Sequence, residues 1–277
     1  MNKRLEQLTN QLNDLNTDFS SRLLSAVQYA VAAGQQTLTR FQDDQLEVIK
    51  KADRSPVTMA DTEAELLLRK CIADDFPEDA ILGEEFDDVA GSTGYRWILD
   101  PIDGTKSFIS GVPLYATLIG IEHEGNSQVG VIYVPALDEL IFAEIGKGAR
   151  YCRGEAKMTE PKVSSVATLA DACFVTTQLS TYDECNRRQV FRAIEQQASI
   201  TRTWGDAYGY LLVATGRAEV MIDPIFNVWD AAAILPVIQE SGGTFSDWKG
   251  VATVHNQEGI ATNGYCHNEI LAFTRNA

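Results

Sequence analysis

No apolar run in this chain approaches the ~20 residues that a membrane-spanning helix needs. The N-terminus is polar and has no hydrophobic core of a secretory signal. Cysteine pairs of the Cys-x-x-Cys type are missing. The five cysteines, Cys71, Cys152, Cys173, Cys185 and Cys266, are odd in number and widely spaced, which argues against a disulfide framework and a structural zinc site. Histidine is scarce: His123, His255 and His267 are too scattered for a His-based zinc centre. Basic runs are absent too. Lys and Arg number 23 against 39 Asp and Glu, a formal charge of -16, so nucleic acid is not an expected partner. These absences predict a cytoplasmic protein that engages neither membrane nor nucleic acid.

What is present is enough apolar material, 45% of 277 residues, for one large domain or two closely packed halves. Leu5, Leu8, Leu12, Leu15 and Phe19 recur at three- and four-residue steps and predict an amphipathic helix that packs on a core or caps a dimer. Its few heptads do not suit a coiled coil. Helices are expected over 22–41 and 60–76, the second stopped at Pro77. A buried strand is expected over 96–99, and 115–122, 128–134 and 139–145 read as an antiparallel meander. The polar stretch 157–166 with Pro161 is the expected seam. Beyond it, strands near 173–177 and 218–222 alternate with helices over 186–197, 208–215 and 230–241, the last closed by Gly242-Gly243. The expected organisation is a helical extension over 1–19, an α+β half over 20–160 and an α/β half over 161–277.

The chemistry concentrates in Gly83-Glu84-Glu85 and in Asp100-Pro101-Ile102-Asp103-Gly104-Thr105. Acids flank a Pro-kinked turn, and Gly-Thr can open a helix. Hard divalent cations such as Mg²⁺ take carboxylates, waters and substrate phosphate, while a helix start offers N–H groups to an anion. Singly, a Glu-Glu pair reads as a solvated face, Asp-Gly as a turn, and Trp229-Asp230 as a helix cap. Together they read as a metal-assisted phosphate site.

Glu84-Glu85, Asp100-Pro101-Ile102-Asp103-Gly104-Thr105 and the distant Trp229-Asp230, with the upstream stretch from Lys51 to Asp61, resemble the motifs of the inositol monophosphatase superfamily in order and spacing. The resemblance runs from about Phe19 to the C-terminus. It implies an αβαβα five-layer sandwich, a homodimer, and a lithium-sensitive phosphomonoesterase using two or three Mg²⁺ ions, with Mn²⁺ able to substitute. By that resemblance Glu84, Asp100 and the Ile102 carbonyl hold one ion, and Asp100, Asp103 and Asp230 a second. Thr105, Glu84 and Asp61 orient the attacking water, and the Gly104 and Thr105 N–H groups hold phosphate. Asp61 serves equally well as a cap for the helix that follows it. Lys51 and Thr58 belong to the upstream loop as lesser contributors.

The substrate end is expected in Gly205-Asp206-Ala207 and at Asp223. Inositol-type members carry a small hydroxyl residue and a glutamate at the positions of Asp206 and Asp223. With Lys106-Ser107-Phe108-Ile109-Ser110-Gly111, these acids resemble the histidinol-phosphate phosphatase branch, an activity of histidine biosynthesis. Histidinol phosphate carries an amino group and an imidazole, which carboxylates can bind through charge-assisted hydrogen bonds. The competing assignment makes Asp206 a helix cap. Alternatives are an inositol-1-phosphate or broad sugar phosphatase, an adenosine 3',5'-bisphosphate phosphatase, and a non-catalytic regulator that binds another protein.

Overall fold

The computed structural model describes residues 3–15, 18–50 and 56–275. Two helices open the chain, α1 (Lys3–Asn13) and α2 (Ser21–Thr37). A short antiparallel pair, β1 (Val48–Lys50) and β2 (Pro56–Thr58), leads into α3 (Met59–Asp75). Then follow β3 (Ala80–Gly83), β4 (Tyr95–Asp103), the short α4 (Thr105–Ile109), β5 (Ala116–His123), β6 (Asn126–Val134), β7 (Glu139–Glu144) and β8 (Gly148–Arg153). The second part runs β9 (Cys173–Val175), α5 (Leu179–Glu184), α6 (Arg188–Gln197), β10 (Ile200–Arg202), α7 (Ala207–Ala214), β11 (Val220–Asp223), α8 (Val228–Ala231), α9 (Ile234–Glu240), β12 (Thr244–Ser246), β13 (Gly259–Thr262) and α10 (His267–Thr274).

Strands β3 to β8 form a six-stranded sheet in chain order, antiparallel from β4 onward and parallel between β3 and β4. A five-stranded sheet has the order β10-β9-β11-β13-β12. The large sheet is apolar on both faces because its side chains alternate. Val131, Tyr133, Leu140 and Phe142 face the layer of α1, α2 and α3, while Ile132, Val134, Ile141 and Ala143 face α7 and α9. The smaller sheet packs its outer face against α5, α6 and α10 through Phe174, Phe191, Ile222 and Ile270. The layers therefore run helix, sheet, helix, sheet, helix, as expected.

Several local expectations needed revision. The 22–41 helix ends at Thr37, and the fourth meander strand β8 was not foreseen. The 230–241 helix is two pieces, α8 and α9, with Ala232 and Ala233 between them. That break meets a slot in the sheet. Gly120 and Gly130 are register partners on β5 and β6. A methyl group on either would lie 2.4 Å from the Ala232 side chain or 2.0 Å from the Ala233 carbonyl. Two glycines thus let the backbone following Asp230 settle onto the sheet that carries Asp100. Asp100-Pro101 is not a turn either. β4 continues through it, with a register shift between Asp100 and Asp103, because proline cannot donate to the ladder.

The N-terminal stripe lies on the core of this chain: Leu8, Leu12 and Phe19 are buried against the large sheet's helical face, although Leu15 and Phe19 lie beyond the end of α1. Arg4 binds Asp138 at 2.9 Å and anchors the helix to the β6–β7 turn. Leu8→Ala, at a fully buried position, should therefore cost about 2–5 kcal/mol in urea unfolding. A loss below about 0.5 kcal/mol would mean that α1 is not docked in solution.

Candidate metal centre and active site

β4 delivers two carboxylates to its C-terminal end. Asp100 accepts from the Ile102 N–H at 3.0 Å, and Asp103 accepts from the Ala207 N–H at 2.5 Å. Asp230 joins them from α8. It is the third helical residue and receives the Asn227 N–H at 2.8 Å, so the Trp-Asp pair forms a capping box with Asn227 as the N-cap. One oxygen from each of Asp100, Asp103 and Asp230 lies within 4.8 Å of the others. Glu84 stands just past β3, its N–H bonded to the Leu99 carbonyl, and its charge is felt at all three.

Burial and mutual repulsion raise the three aspartates. Asp100 and Asp103 titrate well above the ordinary carboxylate range, chiefly through burial, and then through Glu84 and Asp103 at Asp100 and through Asp206 and Asp230 at Asp103. Asp230 is pushed up to about 7 by burial and by Glu84. Among the described residues no lysine or arginine pairs with the three aspartates. Hard oxygen donors, buried at Asp100 and Asp103 and half-buried at Asp230, with no basic partner among the described residues, fit a divalent cation.

Asp61 takes part in the helix cap and also faces Thr105. Its Oδ2 takes the Thr58 N–H and hydroxyl at 2.8 and 2.6 Å, closing a capping box in which Thr58, not Asp61, is the N-cap. Its Oδ1 faces the Thr105 hydroxyl at 3.5 Å, and that hydroxyl donates to the Ile102 carbonyl at 3.2 Å. Burial raises the Asp61 carboxyl. Lys51 lies outside the described residues. Gly104 has φ +83° and opens α4.

A cleft of about 380 Å³ is walled by Glu84, Asp100, Asp103, Thr105, Asp206 and Asp230. A recess of about 70 Å³ shares Asp103, Asp206 and Asp230 with it and reaches Asp223 and Ile225. A larger hollow of about 480 Å³ lies elsewhere, where Glu240 already holds the Gly146 and Gly148 N–H groups and Arg150 pairs with Glu160. None of the acids of the cleft is there.

Asp206 occupies the residue before α7, but its side chain makes no cap hydrogen bond. Its carboxylate presses on Gly104, where a methyl group would lie 2.7 Å from Oδ2. Burial and the nearby Asp223 push it up to about 6, opposed by Lys106 and Ser107. Asp223 borders the recess with its carboxylate already engaged. It is buried, and its two oxygens accept from the Thr177 N–H and hydroxyl at 3.0 Å each, from Tyr210 at 3.1 Å and from Thr176 at 3.4 Å. Thr177 in turn accepts the Asp206 N–H at 3.0 Å. Gly205 is needed because a methyl group there would lie 2.2 Å from the Thr177 Cα. Thr177, in the bend after β9, was not foreseen, since a lone Thr gives no signal. Asn227 was legible in the Asn-x-x-Asp spacing but was not read.

The Inositol monophosphatase family model matches residues 19–277. A histidinol-phosphatase of Chlorobaculum parvum is 42% identical over 249 residues, covering 89% of this chain and 94% of that protein. A histidinol-phosphatase of Mycobacterium tuberculosis is 38% identical, covering 90% and 96%. The extragenic suppressor protein suhB of Bartonella henselae superposes with a TM-score of 0.85 at 27% identity, covering 92% of this chain and 99% of that one.

The raised acids set a pH dependence for chelator-treated protein. A carboxyl raised in the folded state leaves the native protein holding more protons than the unfolded chain. Stability then falls as pH rises from about 4, the unfolded value, through the native value, about 7 at Asp230. Asp103→Asn removes one such charge and keeps an acceptor for Ala207. In chelator it should match or exceed the parent in urea stability at pH 8, with a smaller advantage at pH 5. A variant less stable than the parent at pH 8 would mean that the carboxylates do not repel one another there.

Proposed function

The chain belongs to the inositol monophosphatase family and is a phosphomonoester hydrolase, and we propose that its substrate is histidinol phosphate. The observation that carries the substrate is Asp206, an acid in the cleft wall that does no capping and sits against Gly104. A cationic leaving group next to the phosphate would find its counter-charge there. Relatives of up to 42% identity that are named histidinol-phosphatase support the same reading.

In this proposal Glu84, Asp100, the Ile102 carbonyl, Asp103 and Asp230 hold Mg²⁺, which when bound polarises phosphoryl oxygens and lowers the pKa of a bound water. The chain's own groups do the rest. The N–H groups of Gly104 and Thr105, at the start of α4, receive phosphate oxygens. The Thr105 hydroxyl, between Asp61 and the Ile102 carbonyl, orients the attacking water together with Glu84. Gly205, Asp206 and Ala207 border the alcohol side of the ester, with Asp223 holding that border in place through Thr177. The reading extends to a homodimer, from the family resemblance, and to the reducing cytoplasm, from five free cysteines. Gel filtration tests the first.

A phosphate-release panel of histidinol phosphate, inositol 1-phosphate and adenosine 3',5'-bisphosphate tests the substrate. Histidinol phosphate should give the highest kcat/KM. Activity should vanish in excess chelator, return with Mg²⁺ or Mn²⁺, and fall with Ca²⁺, whose size and looser geometry suit the site poorly. Full turnover in chelator would remove the metal from the proposal.

Asp206→Asn should lower kcat/KM for histidinol phosphate about ten- to a hundred-fold, on the scale of roughly 1.5–3 kcal/mol for a charge-assisted hydrogen bond, and leave inositol 1-phosphate nearly unchanged. With its carboxyl at about 6, the parent's preference should strengthen from pH 5 to pH 8. Asp223→Asn should instead cost stability and slow all substrates together. Equal losses on charged and neutral esters in Asp206→Asn would count against histidinol phosphate.

A further inference from the structure

Glu65 and Arg69 sit one turn apart on α3 and bond at 2.8 Å. In an exposed helix such a pair does little beyond modest helix support. This one is different: the Glu65 side chain is fully buried and only 12% of that of Arg69 is exposed. Its remaining hydrogen bonds all leave the helix for the strand-to-loop segment around Glu84. Glu65 Oε2 accepts the Glu85 N–H at 2.9 Å. Arg69 donates to the Phe86 carbonyl at 2.9 Å and to the Asp87 carbonyl at 3.0 Å. Glu65 Oε1 lies so close to Gly83 that a methyl group there would approach it to 2.1 Å. The peptide that follows Glu84 and the loop carbonyls beyond it are therefore pinned by one buried ion pair, while the peptide before it is tied to β4 through the Glu84 N–H.

We propose that the Glu65–Arg69 pair is a positioning clamp that presents Glu84 to the cation held by Asp100, Asp103 and Asp230. It rests on the reading of Glu84 as a metal ligand. The pair touches neither substrate nor cation. Its two roles are distinct: Glu65 sets the peptide direction leaving Glu84, and the planar fork of Arg69 closes the loop behind it. Lysine cannot reproduce that fork, since it presents a single ammonium point. Groups that orient a ligand from behind typically change metal affinity by about 10- to 100-fold when altered.

The test measures Mn²⁺ binding directly, by electron paramagnetic resonance of free Mn²⁺, without substrate, on protein whose folding is checked by circular dichroism. Arg69→Lys and Glu65→Gln should each weaken Mn²⁺ binding about tenfold. The KM for phosphate ester at saturating metal should stay within about twofold of the parent. Glu84→Gln should weaken Mn²⁺ at least as much. In the double variant, Arg69→Lys should add little to Glu84→Gln, because it acts through Glu84. Two results overturn the clamp: folded single variants with parental Mn²⁺ affinity, or full additivity with Glu84→Gln. If Arg69→Lys does not fold, Glu65→Gln decides by the same measurements. Parental Mn²⁺ affinity in Glu84→Gln would overturn the ligand reading itself, and the clamp with it.

Discussion

The structure turns on the cost of gathering like charges out of water. Asp100, Asp103 and Asp230 offer oxygens within 4.8 Å of one another, with Glu84 adding its charge. No element could carry all of them without paying that repulsion locally, so the fold divides the load. β4 supplies two, the end of β3 one, and α8 the last from the opposite half of the chain. Each of the three aspartates is then held by an N–H donor or a capping box. The Gly120–Gly130 slot is the packing counterpart of this arrangement. It brings the Asp230 backbone against the sheet by contact of Ala232 and Ala233, so that apolar packing opposes electrostatic repulsion. A cation at the cluster would turn the opposition into a bond between the halves.

Much of this was legible in the residues. The acids Asp100, Asp103 and Asp230, which the fold brings together, were readable with Glu84 because they match the family's motifs in order and spacing, and because hard cations favour carboxylates. The meander was readable because turn signals separate apolar runs, and the five layers followed from the family resemblance. What stayed hidden depended on contacts between distant segments. Where the break between α8 and α9 settles, on two glycines more than a hundred residues earlier, has no local signal, although Pro236, which cannot donate to the Ala232 carbonyl, announces the break itself. Strand β8, with Arg150 and Arg153, looks polar because it borders β7 at the edge of the sheet.

Asp61 and Asp206 show why a capping pattern does not decide function. Both precede or open a helix. Asp61 closes a capping box with one oxygen and turns the other toward Thr105, so the two readings were never exclusive. Asp206 has the right position and makes no cap at all, because its backbone, at φ 53° and ψ -157°, points the side chain away from the helix. A carboxylate has two oxygens and several lone pairs, and only geometry tells how they are divided.

That backbone is the last link. The region occupied by Asp206 is one that residues other than glycine rarely adopt, at a cost of order 1–3 kcal/mol. It persists because both flanking peptides are held: the Asp206 N–H by Thr177, itself fixed by Asp223, and the Ala207 N–H by Asp103. Asp103 is thus a member of the acid cluster and also the group that secures the strained peptide. The Ala207 N–H joins the two, so a change in the wall's backbone alters a donor to Asp103. Charge at the cluster and shape at the cleft wall are therefore one mechanical unit, joined through a single peptide, and the strain is stored where that unit meets the substrate space.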